Sequence, residues 1–357
     1  MSRPVRARVG LDALRSNLEL ARHTAPYSRT LAVVKANAYG HGLVPVARAL
    51  VRADAFGVAG VEEAIELRRA GIKQPIVLLE GCFHTAELDD VVRHGLSLVI
   101  HAPHQVEALA TAVPVGPVRV WIKLDTGMHR LGFAPAALGA VRARLQALAG
   151  VEVVGLMTHF ACADDRTDPA TRRQLECFGE AARGVGGEYS LANSAALLGW
   201  PESHADWVRP GLMLYGISPF LDDTAADQGL TPAMTLETEL IAIRECAAGE
   251  AVGYGGAWVC PETMPVGVAA IGYGDGYPRH APAGTPTRVD GRPAQLIGRV
   301  SMDMITLDLR GLPEARVGSR VTLWGEGLPV ELIARQAGTI PYELVCAVTA
   351  RVPLIYE

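Results

Sequence analysis

A (β/α)8 TIM-type barrel followed by a C-terminal, mainly β domain is the fold class predicted for this chain of 357 residues. Three observations predict it. Short apolar runs alternate with helix-like segments from about residue 30 to 216. Eight such runs can be counted, which favours a closed barrel over a doubly wound open sheet. After about residue 230 the texture changes to β-rich segments parted by Gly/Pro turns. The expected division is a barrel over residues 1–228 and a β domain over 229–357.

The eight runs are LAVV (31–34), AFGVA (55–59), IVLLE (76–80), LSLVI (96–100), VRVWIKL (118–124), VEVVGLM (151–157), EYSLA (188–192) and VRPGLMLYG (208–216). Between them, VARALVRA, VEEAIELRRAG, AELDDVVRHG, HQVEALATAV, PAALGAVRARLQALAG, TRRQLECFGEAARG and SAALLGW have apolar positions three and four apart, and several end in glycine. In the second domain TLETELIAI, VGVAAIGY, RVSMDMITLDL and SRVTLWG read as strands, and only PVELIARQAG reads as a helix.

Composition narrows the function. Hydrophobic residues make up 49% of the chain, enough for large cores. A net charge of -5 gives no electrostatic case for binding nucleic acid or an anionic membrane. No apolar run reaches the length of a membrane span. The N-terminus MSRPVRARVGLDALRSNLEL has arginines but no continuous apolar stretch, so it does not read as a secretory signal. Six scattered cysteines without a CxxC pair read as reduced thiols. Together these predict a cytoplasmic protein.

In a barrel the chemistry sits at the C-terminal ends of the strands. Lys35 ends the first run. Lys123, Asp125 and Arg130 follow the fifth, in KLDTGMHRLGF. His159 ends the sixth, in THFACAD, and Asn193 and Ser194 end the seventh, in LANSAAL. Arg209, Gly211 and Tyr215 lie along the eighth. Taken singly, each has an ordinary explanation: Lys35 an ion pair, His159 a hydrogen-bonded core histidine, Asn193-Ser194 a helix cap, Arg209 a partner for a carboxylate.

The joint occurrence points further. Loops after the last two barrel strands commonly bind phosphate, and Ser194 with the backbone near Gly211 suits that role. A rim lysine, a phosphate site opposite it and an arginine between them suggest pyridoxal phosphate, with its aldehyde on Lys35. A buried lysine is costly as a free cation; held as a Schiff base it is tolerated. Other patterns are weaker. His101 and His104 have no third ligand, so no metal is expected. IGYGDGYPR follows no βα crossover, so it is not read as a dinucleotide site. By position alone, VGYGGAW and GRVSMDM are ordinary hairpin and strand.

Taken in order, VVKANAYGHG, KLDTGMHRLGF, THFACAD, NSAALLGW, VRPGLMLYG, VGYGGAW, IGYGDGYPRH, GRVSMDM and IPYE resemble alanine racemase over nearly the whole chain, most closely the proteobacterial catabolic type. The resemblance implies interconversion of L- and D-alanine with pyridoxal 5'-phosphate, in a head-to-tail homodimer with composite sites. It implies that Lys35 holds the cofactor and is one base, and that Tyr254 of the partner subunit is the other. Tyr39, Ser194, Gly211, Leu212 and Tyr342 would bind the phosphate, with Asn193 and His159 beside the cofactor. Arg209 would donate to the ring nitrogen, and Arg130 would contact the cofactor's phenolic oxygen and the substrate carboxylate. Met302 and Asp303 would contribute to the substrate site, and Tyr273 with Tyr254 would narrow its entrance. Lys123 matches a position that is carbamylated in many members. Asn37 and Ser301 stand where other members often have aspartate and cysteine, and neither change removes a catalytic group.

Racemisation removes the Cα proton from one face and returns one to the other, which two bases on opposite faces achieve. Lysine and tyrosine ordinarily have pKa values of about 10, so both need help from burial and nearby cations. Arg209, through His159, is expected to supply it to Tyr254. An arginine stays protonated, so the ring nitrogen it addresses should stay unprotonated, making a poorer electron sink and suppressing transamination. The rival readings are a racemase of another or broader amino-acid range, a decarboxylase of like architecture, and a non-catalytic pyridoxal-phosphate barrel that lacks the second domain.

Overall fold

The computed structural model describes residues 3–112 and 116–357. Met1, Ser2 and Val113, the last residue of the helix expected over 104–113, lie outside the described residues.

The chain opens with strand β1 (Arg6–Val9) and a helix, Leu11–Thr24. Eight parallel strands then close into a barrel in sequence order: β2 (Arg29–Val33), β3 (Ala55–Val58), β4 (Ile76–Leu78), β5 (Leu96–Ile100), β6 (Val118–Lys123), β7 (Val151–Met157), β8 (Glu188–Ser190) and β9 (Trp207–Val208). β9 returns to β2, pairing Arg29 with Trp207. Every residue of β3, β4 and β5 is buried, because helices cover the outside and side chains fill the inside.

The second domain contains β10 (Met234–Cys246), a small hairpin of β11 (Ala251–Val252) and β12 (Trp258–Val259), then β13 (Met264–Ala269), β14 (Pro286–Val289), β15 (Arg292–Ile297), β16 (Ile305–Asp308), β17 (Arg320–Trp324) and β18 (Leu354–Tyr356). The main sheet runs β13-β16-β15-β14-β17-β10-β1-β18, and β13 also pairs with β10.

Three local expectations need correction, and one helix is new. β1 belongs to this second sheet, antiparallel to β10 and parallel to β18, so the first residues of the expected barrel, 1–228, depart from it. The new helix is Leu11–Thr24, with Leu14, Leu18 and Ala21 on its buried face. Most of VRPGLMLYG is not strand: β9 stops at Val208, and Leu212–Tyr215 is a 3-10 turn. Proline at 210 removes the donor a parallel ladder needs. Finally, Pro341–Cys346 is a second helix of the β domain, with proline at its start.

Candidate active site

Lys35 stands where β2 ends, at the C-terminal mouth of the barrel. Its Nζ lies 3.8 Å from Glu80 Oε1, at the end of the run that forms β4. The chain then makes a left-handed turn: Ala36, Asn37, Ala38 and Tyr39 all have φ between 52° and 54°. For L-residues this costs roughly 1–2 kcal/mol each. Compensating bonds surround it. Ala36 N–H donates to Glu63 Oε1 at 2.7 Å, Leu43 N–H to Asn37 Oδ1 at 2.8 Å, and His41 Nδ1 to the Tyr39 carbonyl at 2.8 Å. Asn37 acts here as an acceptor, a task aspartate performs equally, so that departure from the family pattern costs nothing visible.

The turn delivers Tyr39 into an aromatic group. Its ring stacks on Tyr215 at 4.7 Å and lies 5.8 Å from Tyr342 on the C-terminal helix. Gly40 brings the turn against that helix, and a Cβ there would lie 2.1 Å from the Val345 carbonyl. Across from Tyr39, Asn193 Oδ1 caps the helix Ser194–Gly199, and Ser194 Oγ accepts from Gly211 N–H at 2.8 Å and Met213 N–H at 3.3 Å. With its oxygen so engaged, the Ser194 hydroxyl proton is free to donate outward. A Cβ on Gly211 would sit 2.8 Å from Tyr39 Oη. The bare backbone of Gly211 and two hydroxyls therefore converge on one spot.

Arg209 is buried, yet its partners are neutral. It donates to Ser190 Oγ at 2.8 Å, to the Thr158 and Leu191 carbonyls at 2.7 and 3.1 Å, and to His159 Nδ1 at 3.3 Å. Burial pulls its pKa down to about 10, still well above neutrality. Because Nδ1 accepts, the His159 proton is assigned to Nε2. Burial, then Arg209, Lys123, Arg130 and Lys35, hold the His159 pKa well below the ordinary value. Lys123 is buried beside these groups, and burial with Arg209, Arg130 and Lys35 lowers its pKa to about 8. Arg130 follows a loop whose Asp125 accepts from Gly127 N–H and His129 N–H, both at 3.0 Å.

Lys35, Lys123, Arg130 and Arg209 make a strongly positive mouth with Glu80 as the carboxylate near Lys35. A phosphate with its several oxygens fits the hydroxyls, backbone donors and field gathered there. The residues thus fit pyridoxal phosphate: Lys35 would hold the aldehyde carbon, Tyr39, Ser194, Gly211, Leu212 and Tyr342 would hold the phosphate, and Arg209, whose partners include no carboxylate, would address the ring nitrogen.

The remaining residues expected at the site are elsewhere on the chain. Tyr254 is 68% exposed on the turn between β11 and β12. Tyr273 and Met302 are exposed on adjoining loops, joined by Tyr273 N–H to the Ser301 carbonyl at 3.0 Å and Gly274 N–H to the Met302 carbonyl at 2.9 Å. Asp303 pairs with Arg351 at 2.5 Å. Sequence reading missed Glu80 and Glu63; the glutamate ending IVLLE was a usable signal, being a charge at a strand's C-terminal end. His101 and His104 lie 6.2 Å apart, and no cluster of metal-ligating side chains occurs among the described residues. No helix among them is long and apolar enough to cross a membrane, and all six cysteines are free thiols.

Fold and site together define a two-domain enzyme built to hold pyridoxal phosphate at the mouth of its barrel. The family model described as alanine racemase, N-terminal domain, matches residues 9–219, and that described as alanine racemase, C-terminal domain, matches residues 233–356. The chain belongs to the alanine racemase family. It is 53% identical to the alanine racemase of Halorhodospira halophila over 354 residues, 99% of this chain and 97% of that one. It is 50% identical to the catabolic alanine racemase of Pseudomonas aeruginosa over 356 residues, 99% of each. The crystal structure of the biosynthetic alanine racemase from Pseudomonas aeruginosa superposes with a TM-score of 0.97 at 52% identity, covering 99% of each chain. Catabolic and biosynthetic members are therefore similarly alike to it.

Proposed function

We propose that this racemase interconverts L- and D-alanine with two bases drawn from two copies of the chain: Lys35 of one subunit and Tyr254 of its partner. The observation that carries this reading is a split. The barrel mouth gathers Lys35, Arg209, His159 and the phosphate cradle, while Tyr254, Tyr273 and Met302 stand exposed on the second domain. A homodimer arranged head to tail would bring each half to the other.

When bound, pyridoxal phosphate withdraws electrons from alanine Cα and so acidifies its proton. The chain does the rest. Arg130 and the Met302 backbone, with Asp303 next to it, orient the substrate carboxylate. Tyr254 Oη takes the Cα proton of L-alanine from one face, and Lys35 Nζ delivers one to the opposite face; the reverse direction exchanges their tasks. His159, neutral and protonated on Nε2, donates toward the tyrosine oxygen. Arg209, fixed by three neutral oxygens, stays a cation at the ring nitrogen. Lys123 takes up CO2 through its neutral amine: an N–C bond forms, a proton leaves, and the resulting carbamate faces Arg130.

The test is incubation of the holoenzyme with L-alanine in heavy water, with chiral separation and mass analysis. D-alanine carrying deuterium at Cα is expected, and Tyr254→Phe should nearly abolish its formation from L-alanine. Near-normal turnover of that variant would refute the assignment.

A further inference from the structure

The ends of the chain's first and last strands meet two loops that carry exposed residues of the second domain. β1 and β18 lie side by side and parallel, Ala7 opposite Leu354, so the residues just before each strand emerge at the same end of the pair. Those residues include Arg3 and Arg351. The Arg3 guanidinium grips Asp275 as a fork, at 2.8 Å to Oδ1 and 3.0 Å to Oδ2. It also donates to the carbonyls of Asp303 at 3.1 Å and Ala270 at 3.4 Å. Arg351 lies 3.4 Å from Asp275 Oδ1 and 2.5 Å from Asp303 Oδ1. Asp275 is fully buried and also accepts from Gly272 N–H at 3.0 Å. Two arginines and two aspartates thus tie loop 270–276 to loop 301–304.

We propose that Arg3 and Arg351 are positioning residues: they hold Asp275 and Asp303, and through them set Tyr273 and Met302 at the substrate. The inference rests on the proposed placing of those two residues over the partner's site. Their side chains are exposed, so the loops are held through backbone bonds and this ionic clamp. Arginine is suited to it because its planar fork fixes angle as well as distance, which a lysine point charge does not. Displacing the loops by a fraction of an ångström would loosen the grip on the substrate and leave Lys35, Arg209 and the phosphate cradle untouched.

The experiment compares kcat and KM for L-alanine in Arg3→Ala, Arg3→Lys and Tyr273→Ala holoenzymes, below the temperature at which each unfolds. Arg3→Ala should raise KM about tenfold with kcat within about threefold, and Arg3→Lys should fall between it and the parent. A merely structural tie would lower the unfolding temperature without moving KM. An unchanged KM in the Arg3 variants, with KM raised in Tyr273→Ala, overturns the clamp alone. An unchanged KM in Tyr273→Ala overturns the placing of the loops and the clamp with it. If Arg3→Ala does not fold, Arg3→Lys and Arg351→Lys decide by the same criterion.

Discussion

Arg209 donates to His159 Nδ1 at 3.3 Å, and the imidazole it touches is kept neutral. The pairing turns a fixed cation into an oriented donor, because the remaining ring proton must sit on Nε2. No histidine inflection from this residue is expected in the rate profile near neutrality. Loss of the imidazole should instead act on the L-to-D rate itself. His159→Leu removes the donor and should lower kcat/KM for L-alanine about tenfold; His159→Asn, keeping an amide donor, should lower it less. Steady-state rates of the parent and the two variants make the comparison, and a parental kcat/KM in His159→Leu refutes the relay.

The proposed sharing of sites between subunits has a sharp consequence in mixed dimers. Under that proposal Lys35→Ala and Tyr254→Phe chains, each expected to be inactive alone for L-to-D conversion, would place both lesions in one site when paired and leave the other site intact. Random mixing after subunit exchange should restore about a quarter of the parent activity. A site completed within one chain would restore none. Activity measured before and after exchange separates the two.

Much of this was readable in the sequence, for identifiable reasons. Barrel strands buried on both faces appear as continuous apolar runs, so β3, β4 and β5 stood out. Polar residues ending such runs, Lys35 and His159 among them, stood out for the same reason. Other features arise from distant contacts. The pairing of β1 with β10 joins residues more than two hundred positions apart and leaves no local signal. The left-handed turn at Ala36–Tyr39 opposes the preference of alanine and tyrosine and is held by contacts with Glu63, Asn37 and the tyrosine stack. The helix Pro341–Cys346 is too short for its periodicity to be seen, yet it brings Tyr342 to Tyr39.

Gly211 is expected to tolerate no side chain without cost to cofactor retention. A Cβ would press on Tyr39 Oη at 2.8 Å, and Tyr39 is backed by Tyr215 at 4.7 Å. Overpacking of this kind costs about 1–3 kcal/mol. Gly211→Ala should weaken retention of pyridoxal phosphate by about tenfold, with kcat near the parent value at saturating cofactor. Equilibrium dialysis measures it, and parental affinity would remove Gly211 from the phosphate cradle.

Lys123 links burial to pH. Its pKa is about 8 in the folded chain against an ordinary 10.5. Below pH 8 the amine is charged in both folded and unfolded chains, and its burial opposes folding. Between 8 and 10.5 the unfolded chain binds more protons, so this lysine makes stability rise with pH, by about 3 kcal/mol in all; above 10.5 it is neutral in both. Lys123→Met should stabilise the CO2-free protein near neutrality and remove that rise. The same shift leaves roughly 300-fold more neutral amine at pH 7 than an ordinary lysine has, and the neutral amine is the form that adds CO2. Carbon-13 NMR in labelled bicarbonate should therefore show a carbamate resonance that is absent from Lys123→Met and grows, at fixed dissolved CO2, as pH rises toward 8. Its absence from the parent would leave Lys123 a buried amine and would mean that Arg130 is oriented without a carbamate.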